Sequence, residues 1–353
     1  MEDQWYPPVP PGYSNAHRAF LQGFMARGTM TFSEGQKMLA EILSVDALED
    51  GRPPVDPRSV RLEDFQEYIR AAREAIGPID LEIRNIRQQT GRGERIWAFI
   101  NAQSDPATQM ATTHTPEEVA YIKRLLDAMF EEYNTPRMEV MAVDEGQALK
   151  VSRPKRQGGR ESGINGQLNG DDGGGGDGEE GASKAVDRGL KHSEVLSLLS
   201  SLVAEGWLDK SRDGFYSLSA RSLMELQPWL MLTYNDNGDD DDDAGRWQHI
   251  KVCEACKEIV TYGQRCANRD CIVRLHDVCE EAFWRTRRER KCPKCKTAWD
   301  GKHYVGERAV TSRSGFQNGR GRRSGGGRRS DLADSIAAQE EAGNEEDDED
   351  VEV

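Results

Sequence analysis

The chain has 353 residues, 36% of them hydrophobic, and at roughly 150 residues per domain that is material for two or three domains. Its formal charge of −15 describes two runs: residues 239–243 carry five negative charges and 340–353 carry nine, leaving −1 for everything else, so the imbalance names no class of partner. No stretch approaches the ~18 consecutive apolar residues of a membrane span, and the acidic, proline-rich MEDQWYPPVPPGY is unlike a secretory signal.

Residues 13–102 read as one compact unit. HRAFLQGFMARG is a short amphipathic helix closed by Gly28. Thr31 and Glu34 have capping-box spacing for a second helix, striped by Met38, Leu39, Ile42 and Leu43. Leu62, Phe65, Ile69, Ala72 and Ile76 then keep a helical period until Gly77-Pro78 ends it. Beyond that the period becomes two. Leu81 and Ile83 alternate with polar residues, Gly91-Arg92-Gly93 supplies a turn, and IWAFI returns as a buried strand. Helices followed by a β-hairpin outline a winged helix.

The outline then repeats. TPEEVAYIKRLLDAMF has a cap at Thr115, Pro at the first helical position and an apolar face of Val119, Ile122, Leu125, Leu126 and Met129. SEVLSLLSSLVAEGW carries Val195, Leu198, Leu199, Leu202 and Val203 at helical spacing, and Leu208, Asp213-Gly214 and Phe215, Tyr216, Leu218 form another hairpin. Between these halves, about 152–187, lies a Gly/Asp/Glu-rich stretch that cannot bury apolar area. No GK[ST] follows it, so it is not a phosphate-binding loop. A Leu-rich helix from Arg221 is expected to end near Trp229. The boundaries that result are a first winged helix over 1–105 and a second over 106–235. A small third unit spans 246–306, and a disordered tail over 307–353 is arginine-rich, then acidic.

All seven cysteines fall in the third unit. An odd, clustered set points to metal ligation in a reducing compartment rather than to disulfides. With one histidine they form the series Cys253, Cys256, Cys266, Cys271, His276, Cys279, Cys292, Cys295, spaced C-x2-C-x9-C-x4-C-x4-H-x2-C-x12-C-x2-C. Zinc takes four tetrahedral S or N ligands, so eight make two closed sites with no position left for a reacting water. That predicts two structural zinc ions rather than a hydrolytic centre. A segment this short cannot hold itself together by core burial alone, whereas a structural zinc can contribute ~10–16 kcal/mol. Replacing Cys292 is expected to unfold this unit and leave the winged helices intact.

This ligand order resembles the variant RING fingers and the PHD fingers. Both resemblances imply a cross-brace, with Cys253, Cys256, His276 and Cys279 on one zinc and Cys266, Cys271, Cys292 and Cys295 on the other. PHD fingers carry an aromatic residue two before the seventh ligand, where this chain has Arg290. RING fingers follow that ligand with proline, here Pro293, and place an aromatic after the sixth, here Phe283-Trp284. The RING resemblance implies a docking groove for a ubiquitin-conjugating enzyme formed by Ala255, Phe283, Trp284 and Pro293, with Lys296 as the cation after the last ligand. Ala255 departs from the usual Ile or Leu and would bury less apolar area, and lysine is not equivalent to arginine at such a position.

Two winged helices followed by a C4HC3 RING resemble the non-structural maintenance of chromosomes element 1 family, the RING-finger subunit of the SMC five/six DNA-repair complex. The matching segments are HRAFLQGFMARG, EIRNIRQQTGRGERIWAFIN, TPEEVAYIKRLLDAMF and LVAEGWLDKSRDGFYSLSARSLMELQPWL, and the likeness covers 13–151 and 188–300. It implies an α+β protein whose winged helices bind a MAGE-type subunit together with a kleisin subunit. It also implies a RING acting as an E3 ubiquitin-protein transferase by orienting a charged conjugating enzyme, with no covalent intermediate on this chain. The expected place of action is the nucleus, and KVSRPKRQ at 150–157 has the composition of an import signal. The competing expectations are a PHD-type chromatin reader and a purely architectural subunit. The acidic residues of the 62–76 helix disfavour DNA there. Arg84, Arg87, Arg92 and Arg95 on the first wing and the arginines of 308–329 leave weak non-specific DNA contact as an expectation.

Overall fold

The computed structural model describes residues 12–101, 113–154, 188–235 and 247–313. The first unit runs α1 (Asn15–Arg27), β1 (Thr29–Thr31), α2 (Phe32–Glu49), α3 (Leu62–Ile76), β2 (Leu81–Arg87) and β3 (Arg95–Asn101), with strand order β1-β3-β2. The Thr31/Glu34 capping box forms as its spacing predicts. On α3 the stripe Phe65, Ile69, Ala72 and Ile76 is buried, while Leu62, at the helix start, is exposed. Phe65 meets Trp97 edge-on at 5.0 Å, and α2 passes so close to it that a Cβ on Gly35 would lie 2.2 Å from its ring. Gly35→Ala therefore cannot be accommodated without moving Phe65.

The second unit runs α4 (Pro116–Asp127), a π turn (Ala128–Glu132), β4 (Val143–Asp144), α5 (Glu145–Lys150), α6 (His192–Ala204), β5 (Leu208–Lys210) and β6 (Phe215–Leu218). Its strand order is β4-β6-β5. Element order and strand order repeat those of the first unit, so both are three-helix winged helices with a short first strand. The Gly/Asp-rich stretch falls between α5 and α6. Its centre lies outside the described residues, but its base is tied: the Leu190 amide donates to the Ser152 carbonyl at 2.9 Å.

The helix expected to end near Trp229 is instead two helices, α7 (Ala220–Glu225) and α8 (Gln227–Asn235), broken ahead of Pro228. Proline is tolerated in a first turn but not in a helix interior, which places the break. From α7, Met224 packs on Ile86, Ile96, Ala98 and Ile100 of the first sheet, and so joins the two winged helices. At the end of α8 the Asn235 amide bonds Ile250 twice, donating to its carbonyl at 2.8 Å and accepting from its N–H at 2.9 Å. The run 239–243 lies outside the described residues, between these partners.

The third unit contains β7 (Gly263–Arg265), β8 (Arg274–Leu275), α9 (Asp277–Arg285) and β9 (Tyr304–Val305), with strand order β8-β7-β9. The tail does not begin at 307. A short helix, α10 (Arg308–Thr311), follows, and Val310 packs with Met138, Val140, Ala142 and Phe215 of the second winged helix. Apolar Ala309 and Val310 among arginines were the signal for this docking. The acidic residues 340–353 lie outside the described residues.

The expectation that the third unit can unfold and leave the winged helices intact assumes separate cores, and the cores are not separate. Buried residues of the second winged helix, such as Leu125, Val143 and Leu199, form one cluster with Ile250, Leu275, Trp284 and Trp299 of the third unit. Polar contacts seal the joint. Glu139, on the loop before β4, pairs in the buried interior with Arg274, with Lys251 at 3.1 Å and with Arg265 at 3.5 Å. The Gly306 amide donates to the Glu139 carbonyl at 2.7 Å, and Arg265 donates to the Pro136 carbonyl at 2.9 Å. On the other side, the first wing reaches over. The Gln89 amide donates to the Ile259 carbonyl at 2.8 Å, and its oxygen accepts from the amides of Thr261 at 2.9 Å and Tyr262 at 3.0 Å. Gly93, at φ +64°, lies where a Cβ would come within 2.6 Å of Val278.

Two expectations follow for these contacts. Burial raises the Glu139 carboxyl pKa, but the Arg274 hydrogen bond and the surrounding cations outweigh it and hold the group below its ordinary 4.5. A depressed pKa gives stability that is present above the ordinary value and is lost as pH falls through the folded one. Glu139→Gln is expected to cost about 3–5 kcal/mol near neutrality, because three cations lose their buried anion. Chemical denaturation of the two proteins at a series of pH values checks this, and the gap should narrow below pH 4.5. Gln89→Ala leaves two amides and a carbonyl without their partner in a buried joint and is expected to cost about 1–3 kcal/mol, with hydrogen exchange rising first at 259–262.

Candidate metal centres

The third unit is organised by two hairpin knuckles of the same construction. In the first, the Cys253 amide donates to Glu258 at 2.8 Å and the Lys257 amide returns to Cys253 at 2.9 Å. In the second, Cys292 donates to Thr297 at 2.8 Å and Lys296 returns to Cys292 at 3.0 Å. The residue after each second cysteine, Lys257 or Lys296, has φ +65°, which is left-handed backbone that glycine adopts more easily. This turn aims both sulfurs of a C-x2-C pair to the same side. The other ligands come from the loop at Cys266 and Cys271 and from the start of α9, where His276 is the N-cap and Cys279 follows in the first turn.

Two four-residue sets result: Cys253, Cys256, His276 and Cys279, and Cys266, Cys271, Cys292 and Cys295, with each set's ligand atoms within 4.8 Å of one another. These are the sets implied by the cross-brace resemblance. All seven cysteines are free thiols. Cys266 and Cys295 sulfurs lie 3.4 Å apart and Cys271 and Cys292 sulfurs 3.5 Å, far beyond the ~2.05 Å of a disulfide. Sulfurs bound ~2.3 Å from one tetrahedral ion stand about 3.8 Å apart, so the spacing suits zinc.

His276 supplies an independent fit. Its Nε2 is 3.1 Å from the Ile259 carbonyl, and a carbonyl can only accept, so Nε2 carries the proton. Nδ1, 3.3 Å from the Cys256 sulfur and 3.9 Å from that of Cys279, is left with its lone pair toward the cysteines. Such outer hydrogen bonding is how metal-bound histidines are oriented. His249 sits elsewhere, bonded to the Phe130 carbonyl at 2.9 Å, and His303 faces Asp300 at 3.6 Å.

The residues named for docking divide. Ala255 and Lys296 are exposed and Pro293 half-buried, and Lys296 donates to the Pro293 carbonyl at 2.9 Å. Phe283 and Trp284 are only 8% and 5% exposed. Trp284 packs against Phe283 at 4.9 Å and Trp299 at 5.6 Å, and Arg287 covers the Phe283 ring at 4.1 Å. The aromatic pair is therefore core, because a unit this small spends its large rings on its own interior.

Sequence reasoning missed Trp299 and Gln264. The Trp299 indole donates to Gln264 at 2.9 Å, and Gln264 donates onward to Asp277 at 3.1 Å and Glu280 at 2.7 Å, fixing α9 against the sheet. A tryptophan four residues after the last ligand was the available signal. On the first wing, Arg87, Arg92 and Arg95 are exposed and Arg84 pairs with Glu82 at 2.7 Å, while the wing's tip is occupied by the third unit. On α3, Arg70 lies between Glu67 at 3.8 Å and Glu74 at 3.6 Å, so this helix has no basic face. No helix among the described residues is long and apolar enough to cross a membrane.

Comparison with known proteins agrees with this architecture. The family model described as RING-like domain matches residues 253–295, which favours RING over PHD. The chain is 23% identical to the non-structural maintenance of chromosomes element 1 homolog of Xenopus laevis, over 81% of this chain and 83% of that one. It is 22% identical to the Homo sapiens homolog, over 81% and 84%, and 21% identical to the Schizosaccharomyces pombe protein, over 84% and 96%. A solved structure described as "Nse1-Nse3-Nse4 complex" shares the fold, with TM-score 0.56 and 18% identity over 81% of this chain and 97% of that one. The family model described as "Nse1 non-SMC component of SMC5-6 complex" covers residues 17–226, more than half of the sequence, and the chain belongs to that family.

Proposed function

We propose that this chain is the RING-bearing subunit of a nuclear SMC complex, binding a MAGE-type and a kleisin subunit through its winged helices. In this reading the RING holds two structural zinc ions and orients a ubiquitin-charged conjugating enzyme. Family membership supports the first part, and the solved relative's naming as a complex with Nse3 and Nse4 supports the choice of partners. The pair of complete four-ligand clusters supports the two zinc ions, and the RING-like match over 253–295 supports the orienting role. Zinc, when bound, supplies the fixed geometry of the two knuckles. This chain's own residues would then present Ala255, Pro293 and Lys296 as one face. Such a face accelerates transfer by orientation and contributes no nucleophile. The exposed arginines of the first wing would add weak, salt-sensitive contact with DNA.

A second reading, a purely architectural subunit, is favoured by one observation. With Phe283 and Trp284 in the core, the docking face has little apolar area, and Ala255 adds less than Ile or Leu would.

Elemental analysis of the purified full chain is expected to give two zinc ions. Because the cores are continuous, removing them with a chelator should raise hydrogen exchange in α6 as well as around the knuckles. Protection of α6 unaffected by metal removal would refute that coupling.

Reconstituted ubiquitin transfer with the MAGE-type partner separates ligase from scaffold. Ala255→Ile is expected to strengthen conjugating-enzyme binding by roughly 1 kcal/mol at ~25 cal/mol per Å², and Lys296→Glu to weaken transfer with zinc content unchanged. Trp284→Ala is expected to cost ~3–5 kcal/mol of stability, as a core deletion does, and so to report on folding. Transfer unchanged by both face variants would leave the architectural role.

A further inference from the structure

The segment ahead of α1 carries a motif that the function proposed above leaves unused. Four of the chain's 14 prolines fall in the five positions 7–11, and the run reads Tyr6-Pro7-Pro8-Val9-Pro10-Pro11-Gly12-Tyr13. The match to the family model begins only at residue 17. Proline fixes φ and biases the residue before it toward the polyproline II region. A proline-dense run therefore gives up little conformational entropy when a partner binds it as a polyproline II helix, and aromatic-lined recognition grooves exploit this. Residues 7–11 lie outside the described residues; Gly12 and Tyr13 lie within them.

Tyr13 is the outermost of three stacked rings. It rests on His17 at 5.3 Å and 29°, and His17 rests on Tyr68 at 4.3 Å and 13°. Tyr68 packs against the core of the first winged helix, whereas Tyr13 is half-buried and is not a member of that cluster. Its ring is thus presented at the surface without being committed to the interior. Gly12 has φ +82°, and nothing described lies within 4 Å of where its Cβ would stand, so the backbone can turn there unobstructed.

The spacing selects among the polyproline-reading modules. WW-type grooves lay a proline pair across aromatic rings and take a tyrosine two positions on, here Pro10-Pro11-Gly12-Tyr13. SH3-type grooves pair a cation beside the prolines with an acidic pocket, but residues 1–17 contain no Lys or Arg and do contain Glu2 and Asp3. EVH1-type grooves use an aromatic ahead of the run, here Tyr6, and give Tyr13 no role.

We infer that Pro10, Pro11 and Tyr13 form a docking motif for a protein carrying a WW-type module, with Tyr13 leaving its stack on His17 to enter the module's tyrosine pocket. This contact needs neither the RING nor the partners of the winged helices. The probe is a fluorescently labelled WW domain of the class that reads Pro-Pro-x-Tyr, titrated by anisotropy with the zinc-loaded full chain. Labelled SH3 and EVH1 domains serve as controls. The WW domain is expected to bind and the controls not. Pro11→Ala and Tyr13→Ala should each weaken binding about tenfold or more, as loss of an anchor side chain does, and Pro11→Ala should leave the thermal transition unchanged. His17→Ala removes the competing stack and should tighten binding about two- to tenfold. Failure of the WW domain to bind the wild-type chain overturns the proposal, as does binding that survives both Pro11→Ala and Tyr13→Ala. Binding of the EVH1 domain that is lost with Tyr6→Ala, or of the SH3 domain that is lost with Pro7→Ala, in place of the WW domain would assign the run to that class and reject the role of Tyr13. Affinity unchanged or lowered in His17→Ala would mean that the ring does not leave its stack, which overturns the proposed docking mode.

Discussion

A carboxylate taken out of water beside three cations holds this molecule in its particular arrangement. Glu139 belongs to the second winged helix, and Arg274, Lys251 and Arg265 belong to the RING. Its backbone carbonyl also receives the amide of Gly306 at the exit of β9. Buried ion pairs are not reliable sources of net stability, because desolvation offsets their attraction. What they impose here is a single pose: any sliding of the RING on the winged helix would strand a charge in a dry interior. The Gln89 amide does the same from the other side with neutral groups, giving the wing's tip one seat on the RING backbone. Together they make the last unit a continuation of the fold rather than a bead on a string.

This bears on how a conjugating enzyme would be held. A RING on a tether samples many directions, and its partner's acceptor must find it. Under the proposed function, a RING welded to two winged helices would present Ala255, Pro293 and Lys296 in a direction set by whatever grips those helices. The burial of Phe283 and Trp284 is part of the same economy, since Trp284, Trp299 and the second winged helix share one apolar cluster. The aromatic rings are committed to the weld and are withdrawn from the surface.

What could be read from the sequence follows from what each feature demands locally. The long helices were legible because an amphipathic stripe of four or five apolar positions admits one period, and the caps at Thr31 and Thr115 marked their starts. The metal ligands were legible because tetrahedral thiolate chemistry permits few spacings. Short elements were not: β1 and β4 have three and two residues, too few to show alternation, and α5 owes its start to Asp144 and Gln147 rather than to a stripe. The seam was invisible for a different reason. Glu139 is one acid in PRMEVMAV, and nothing near it in the chain foretells partners that lie 112 to 135 residues away. Trp284 misled because a RING's groove tryptophan and a core tryptophan occupy the same place in sequence, and only packing separates them.

The paired anchors at the bases of the two low-complexity stretches have an evolutionary consequence. Ser152 holds Leu190, and Asn235 holds Ile250 through both faces of its amide. With the ends pinned, the entropy of closing the intervening chain rises only logarithmically, about 0.6 kcal/mol for each doubling of length. Lineages are thus free to lengthen, shorten or recompose these segments with little penalty to the folded body. Sequence drift should pool there while the anchoring residues stay put, and the same two places are where a reporter domain can be spliced into the chain.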